Sequence, residues 1–202
     1  CALPISGAGL GWALGAWADR SFFFAAVNLI FGTIGDRVSQ AFIDDRAELT
    51  GTAFDVARMR ASVPVMREQI RAHASLVEDQ LADGRRFLQG DGPGLADVQA
   101  GLVPWFIRSA CPQEAGVLDA LPRLCAWEER MAAIGHGARS EMDAEEALAV
   151  ARAAIPDALP DTDPGEPNGL APGMQVEVAP DDYGRDFVRG ELVSSSAHDI
   201  AL

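Results

Sequence analysis

The feature that most constrains this chain is a Gly/Pro-rich loop that runs directly into a helix, with one acid on the first turn. The loop reads Phe87-Leu-Gln-Gly-Asp-Gly-Pro-Gly-Leu-Ala-Asp97 and continues into an apolar segment. Asp97 stands three residues beyond Gly94, the expected N-cap, so its carboxylate can accept hydrogen bonds from free backbone N–H groups. Gly94 has no side chain that could return such a bond. We expect Asp97→Ala to cost on the order of 1 kcal/mol.

Composition excludes several classes of protein. The chain has 202 residues, a formal net charge of −14 and 49% hydrophobic residues, which predicts a packed core. Nucleic-acid binding needs clustered cations, and Arg85-Arg86 is the only adjacent basic pair. The most apolar segment, Phe22–Phe31, is too short to span a bilayer. Three scattered cysteines form no disulfide or zinc pattern, which favours a reducing cytoplasm.

The first half of the chain predicts several helices. Residues 8–31 carry apolar groups at spacings of three to four, which is typical of a buried helix. Two short amphipathic pieces follow within residues 36–61. Ser62 stands two residues before Pro64, the pattern of an N-cap with proline in the first turn. This pattern predicts a helix that begins there and runs to about Ala82.

Three more helices are predicted further along the chain. One begins after Gly94 and reaches about Arg108, one begins at Pro122, and a last one begins at the capping box Asp143-x-x-Glu146. With the preceding segments they make about six helices, so we expect residues 8–155 to be all-helical.

Composition and periodicity both change after this helical region. Residues 156–172 are rich in proline, aspartate and glycine and predict an extended linker. Alternating apolar residues then predict strands at 174–178 and 188–193. We expect a turn at 194–197 and the start of a third strand at 198–202. Three short strands need a closing partner, so we expect this β module to be truncated.

Three segments carry a resemblance to a known family. They are Leu81-Ala-Asp-Gly-Arg-Arg-Phe-Leu88, Gly94-Leu-Ala-Asp97 and Leu121-Pro-Arg-Leu-Cys-Ala-Trp-Glu-Glu-Arg-Met131. In this order they resemble the all-helical C-terminal domain of the cytosolic glutathione S-transferases. The family generally has Ser or Thr where this chain has Gly94, which weakens the capping box. Residues 132–137 and the C-terminal tail look like a bacterial subgroup with an extra β module.

The resemblance implies a domain organisation. It places a glutathione S-transferase C-terminal-like bundle at 8–155, a linker at 156–172 and a partial β module at 173–202, and leaves residues 1–7 unassigned. The family binds glutathione on an N-terminal thioredoxin-like domain, and no βαβ pattern with a cis-proline motif is found here. We therefore expect the chain to be a fragment that lacks this domain, its main partner. The resemblance also implies a homodimer when the protein is complete.

The implied function is a contribution to glutathione-dependent thiol transfer in the cytoplasm. The chain would provide the hydrophobic-substrate wall and a domain interface, with glutathione as co-substrate of the complete protein but not bound by this fragment. Apolar walls with a single polar group are typical of small-molecule pockets, which favours Phe22, Phe24, Asn28 and Trp105 as substrate-binding residues. The alternative is that all four are core or domain-interface residues.

Other chemistry finds little support in the sequence. No CxxC pattern or basic cluster accompanies Cys111 and Cys125, so buried, unreactive thiols are favoured. The histidines are widely scattered, and the acids of 157–166 lack the order of a calcium-binding loop, so we expect neither a metal site nor a catalytic residue. The competing function is a non-catalytic protein-interaction scaffold of the same helical fold.

Overall fold

A computed structural model describes residues 8–155 and 161–202. The expected N-terminal segment 1–7, and residues 156–160 of the expected linker, lie outside the described residues. Contacts divide the described chain into two units. The first unit contains residues 8–42 and 54–138, and the second contains residues 43–53 together with the described residues from 139 onward.

The first unit is all-helical, as the sequence predicts. A π-helical turn, Ala18–Phe22, connects its first two helices, and α3 continues beyond the unit. The helices are α1 (Ala8–Trp17), α2 (Phe23–Ile34), α3 (Gln40–Thr50), α4 (Val56–Gln80), α5 (Leu95–Ala110), α6 (Gly116–Asp119) and α7 (Pro122–Ile134).

The core of this unit surrounds α5, which packs against α1, α2 and α7. Apolar side chains of α2, α4, α5 and α7 are buried, Leu14 and Trp17 of α1 pack partly buried against them, and this burial drives the packing. The largest fully buried apolar side chains of the unit are Trp127, Phe22, Leu29, Ile30, Ile70, Ile107, Leu118 and Leu124. The predicted starts near Leu95 and at Pro122 are confirmed.

The helix expected to start at Ser62 begins earlier. Asp55 is the N-cap of α4, because its carboxylate accepts a hydrogen bond from the Arg58 N–H at 2.9 Å. Ser62 and Pro64 therefore lie inside the helix, and the Ser62 hydroxyl donates to the Met59 carbonyl oxygen at 2.7 Å. The prediction was wrong because proline is favoured in a first turn but is tolerated inside a helix that packing stabilises.

The single helix expected over residues 8–31 is interrupted by the π-helical turn and ends later, at Ile34. A π turn contains more residues than an α turn, so the side chains after it are rotated relative to a regular 3.6-residue repeat. The direction of each aromatic side chain in this region therefore departs from the sequence-based periodicity.

The second unit combines helical and β structure. It contains residues 43–50 of α3, the helix α8 (Ala144–Ala153) and four short strands. In α8, Asp143 accepts a hydrogen bond from the Glu146 N–H at 2.7 Å, as the capping box predicts. The strands are β1 (Gln175–Val178), β2 (Val188–Glu191), β3 (Ser194–Ser195) and β4 (Ile200–Ala201).

The strands form two antiparallel pairs. Strand β1 pairs with β2 and β3 pairs with β4, which confirms a helical bundle followed by a small β module. The turn expected at 194–197 lies two residues later, because Ser194 and Ser195 pair with β4. The Ser196 N–H donates to the Asp199 carbonyl oxygen at 2.8 Å and closes the actual turn. Among the described helices, none is long and apolar enough to cross a membrane.

Candidate functional site

The start of α5 is organised by the buried carboxylate of Asp97, which has no exposed surface. Its Oδ2 accepts a hydrogen bond from the Gly94 N–H at 3.0 Å, the backbone contact expected from the spacing. Its Oδ1 accepts two more, from the Leu88 N–H at 2.8 Å and from the Trp127 Nε1–H at 2.9 Å. One carboxylate therefore ties the loop before α5 to the first turn of α5 and to α7.

A second buried carboxylate, which sequence reasoning missed, fixes the start of α7. Glu78 of α4 accepts hydrogen bonds from the Leu124 N–H at 2.8 Å and from the Arg123 guanidinium at 3.0 Å. Leu124 is in the first turn, where backbone N–H groups lack intrahelical partners. The available signal was Glu78 four residues after Ala74 on an otherwise apolar face.

These two anchors set the space between α5 and α7, which forms an open groove of about 560 Å³. The groove has the volume of a typical ligand pocket. Gly101 lies on the α5 side, and a Cβ there would stand 3.6 Å from the Trp127 ring, in ordinary contact. The lining includes Val98, Leu102 and Trp105 of α5 and Glu128, Glu129 and Met131 of α7. We call it the α5–α7 groove.

Two charged groups of this groove, Arg108 and Glu128, are already paired with each other. Arg108 donates to both oxygens of Glu128, at 2.9 Å from Nε and 2.9 Å from Nη2, and to Asp119 at 2.8 Å. The hydrogen bond to Glu128 raises the pKa of the Arg108 guanidinium above its usual value. Burial raises the pKa of the Cys125 thiol, which also lines the groove. The groove therefore offers an apolar surface and a neutral, protonated thiol rather than a reactive group.

The four substrate-binding candidates occupy different environments. Phe22 is fully buried, stacks on Trp17 and belongs to the core. Phe24 is 41% exposed, and Trp105 is 61% exposed and lines the α5–α7 groove. Asn28 lies one turn after Phe24, and its amide donates to the Phe24 carbonyl oxygen at 2.8 Å. The structure therefore links Phe24 with Asn28, whereas Phe22 has no surface to offer a ligand.

The remaining reactive groups are placed as follows. Cys111 is buried, and burial raises the pKa of its thiol. The Trp17 Nε1–H donates to Nδ1 of His73 at 3.2 Å, and burial lowers the pKa of that imidazole. Within residues 8–155 and 161–202, no three His, Cys, Asp or Glu side chains are grouped so that they could hold a metal ion.

The sequence of the helical region matches a family profile. The family described as "Domain of unknown function (DUF7962)" matches residues 26–140, more than half of the chain. The chain belongs to this family. The matched residues run from α2 to just beyond α7 and so include Asp97, Glu78 and the groove.

Solved structures match over a longer range. A GST-like protein from Pseudomonas syringae is 28% identical with a TM-score of 0.70, and the match covers 96% of this chain and 60% of that one. A glutathione S-transferase III in apo form is 20% identical with a TM-score of 0.42, covering 79% of this chain and 60% of that one. No curated protein matches. The match to the Pseudomonas structure shows that the chain has a GST-like fold, and the chain spans 60% of the length of that structure.

Proposed function

We propose that this chain is the helical part of a glutathione S-transferase-like protein, where it forms the hydrophobic-substrate wall and docks on a thioredoxin-like domain. The exposed aromatic surface of two adjacent helices carries the proposal. Trp12 of α1 is 66% exposed and Trp105 of α5 is 61% exposed, and α1 packs against α5. Large apolar patches on a folded surface mark interaction sites or binding grooves.

The similarity to the Pseudomonas protein supports this assignment. That protein is described as GST-like, and 96% of this chain matches 60% of it. A complete protein of that length has room for a further domain, which we propose covers the exposed tryptophans of α1 and α5. We propose that residues 8–155 form its helical domain, and that 156–172 link this domain to the β module at 173–202.

The wall for the apolar substrate would be formed by Phe24, Asn28 and Trp105. Phe24 and Trp105 both present exposed aromatic surface. The Asn28 side-chain amide donates one hydrogen bond to the Phe24 carbonyl oxygen. Its side-chain oxygen accepts no hydrogen bond within the described chain and can orient a donor group of the substrate. Phe22 would support this wall from the core rather than touch the substrate.

The proposed reaction is attack by the thiolate of glutathione on an electrophilic carbon, forming a C–S bond as the leaving group departs. The thiolate is the reactive form, so nearby donors must lower the pKa of the thiol. Burial raises the pKa of both Cys111 and Cys125, so neither supplies a substitute nucleophile. The activating donor would come from the thioredoxin-like domain of a complete, dimeric, cytoplasmic protein.

The test compares this chain with the complete protein. Calorimetry should show saturable glutathione binding by the complete protein and none by this chain, and only the complete protein should conjugate an aryl halide. In the complete protein, Trp105→Ala should raise KM for the aryl halide and leave glutathione affinity unchanged. Val65→Ala, which removes an exposed apolar side chain from α4, is the matched control.

Two results would contradict the proposal. A complete protein that binds no glutathione would favour the non-catalytic scaffold. Glutathione binding by this chain alone would show that the co-substrate site lies on the helical region.

A further inference from the structure

A second concave surface of the first unit is lined by three arginines. It lies where the loop after α4 meets the face of α7 that contains Arg123 and Arg130, and it has a volume of about 300 Å³. Arg85 lines it from the loop. Its other lining residues are uncharged, and no carboxylate is among them. We call this surface the arginine groove. It is separate from the α5–α7 groove and independent of the proposed glutathione chemistry.

Two of the three guanidinium groups are held in place by carboxylates outside the groove lining. Arg85 donates from Nε to both oxygens of Asp83 at 2.9 Å and from Nη1 to the Leu88 carbonyl oxygen at 3.2 Å. Arg123 donates from Nη1 to Glu78 at 3.0 Å, and Glu78 is itself fixed by the α7 backbone. These bonds restrict the arginines before any ligand arrives, which lowers the entropic cost of binding.

The third arginine retains an unbalanced charge. Arg130 donates from Nε to the Arg86 carbonyl oxygen at 2.9 Å and forms no ion pair within the described residues. Its two Nη groups are therefore available to an acceptor. The chain as a whole carries a net charge of −14, so a groove lined by three arginines and no carboxylate differs from the acidic composition of the chain.

The first turn of α7 adds a further donor to this surface. Pro122 and Arg123 are the first two residues of this 13-residue helix, and both line the groove. The Leu124 N–H is taken by Glu78, but the Arg123 N–H has no acceptor within the described chain. Helix N-termini attract anions through free N–H groups and the helix dipole.

We propose that the arginine groove binds the phosphate group of a small phosphorylated molecule. A phosphate dianion presents several acceptor oxygens to planar guanidinium forks, which suit bidentate contacts. The Nη groups of Arg130 and the remaining donors of Arg123 would contact the phosphate oxygens, while Arg85, whose charge is balanced by Asp83, would line the groove from the loop. The volume of about 300 Å³ is larger than a phosphate group, so the groove has room for the phosphate and for the adjoining part of the molecule.

The test titrates the full chain with inorganic phosphate, followed by calorimetry and by chemical-shift changes at the start of α7. We expect saturable binding that weakens with added sodium chloride. Loss of one charge-assisted contact in Arg130→Gln should weaken binding about tenfold. Arg130→Lys keeps the charge but loses the planar guanidinium, so its affinity for phosphate should lie between those of the unaltered protein and Arg130→Gln. Arg71→Gln, an exposed α4 arginine paired with Glu68, is the matched control and should bind like the unaltered protein.

A measurement on the unaltered protein removes any dependence on folding of the variants. Phosphate should protect Arg123 and Arg130 from modification by phenylglyoxal, mapped by mass spectrometry, and should leave Arg71 unprotected. The chain contains no lysine, so arginines are its only basic side chains apart from histidine. Absence of saturation, equal binding by Arg130→Gln, or equal protection of Arg71 would each overturn the proposal.

Discussion

Removal of the Asp97 carboxylate tests how far one buried acid organises this fold. In Asp97→Ala, three donors lose their acceptor together: the Gly94 N–H, the Leu88 N–H and the Trp127 indole. The site has no exposed surface, so water cannot replace the carboxylate without rearrangement. The sequence-based expectation of about 1 kcal/mol counted only the local cap.

The structure raises the expected magnitude. Each buried donor left without an acceptor costs about 1–3 kcal/mol, so the three together predict a loss of about 4 kcal/mol after partial relaxation. Asp97→Asn should cost about half as much, because an amide oxygen at the Oδ1 position can still accept from Leu88 and Trp127. A loss of about 4 kcal/mol is a large part of the stability of a typical domain.

The assay is urea unfolding of the full chain followed by far-ultraviolet circular dichroism, with stability taken from the midpoint and slope. Asp55→Ala is the matched control, because Asp55 is an exposed N-cap in the same unit whose side chain accepts one hydrogen bond, from the Arg58 N–H. We expect it to cost about 1 kcal/mol. If Asp97→Ala costs no more than Asp55→Ala, the reasoning from tertiary hydrogen bonds is refuted.

A double-mutant cycle separates the interhelical bond from the local cap. Trp127→Phe removes the indole donor while keeping an aromatic ring in the core. If the Asp97–Trp127 bond contributes, the loss in the double variant should be smaller than the sum of the two single losses. Strict additivity would show that the contact at 2.9 Å contributes no net stability.

Three further predictions concern other parts of the molecule. In urea unfolding, Gly32→Ala should destabilise the protein by about 2 kcal/mol, because the new Cβ would stand 2.6 Å from the Met59 carbonyl oxygen. The control Gly9→Ala, with open space around the new Cβ, should be neutral or stabilising. Burial lowers the pKa of His73 below its unfolded value. The stability that comes from the neutral imidazole is therefore fully present above about pH 6.5 and is lost as pH falls through the folded pKa. Unfolding measured from pH 7.5 to 5 should show this loss in the unaltered protein and not in His73→Phe. The exposed tryptophans of α1 and α5 should make the chain self-associate at micromolar concentration despite its charge of −14, and light scattering that reports a clean monomer would contradict this.

The starts of three helices could be predicted because their signals are local. Gly94 with Asp97, Pro122, and Asp143 with Glu146 all act within one turn, where sequence spacing determines which atoms can meet. The outline of a helical bundle followed by short strands follows from periodicity in the same way. In contrast, Pro64 did not predict the early start of α4, because packing elsewhere offsets the free-energy cost of a proline inside the helix.

The candidate site was harder to predict because its geometry depends on distant residues. Phe22 and Phe24 stand two residues apart, yet one is fully buried and the other 41% exposed, and the π-helical turn that ends at Phe22 alters the helical repeat. Leu88 and Trp127 meet Asp97 from 9 and 30 residues away. Spacing identifies the acid at the helix start but cannot identify these donors.

The buried acids of the first unit also bear on what this chain contributes chemically. Glu78 and Asp97 bind backbone and side-chain donors, and Glu114 accepts two hydrogen bonds from Arg67 at 2.7 Å, which lower the pKa of its carboxyl. Each fixes one structural element relative to another, so none is left as a general base. Burial of a carboxylate costs free energy, and in the described part of this unit these three buried carboxylates hold structural elements together. This unit is therefore suited to present shaped apolar surface, and the proposed thiol transfer assigns activation of the nucleophile to a second domain.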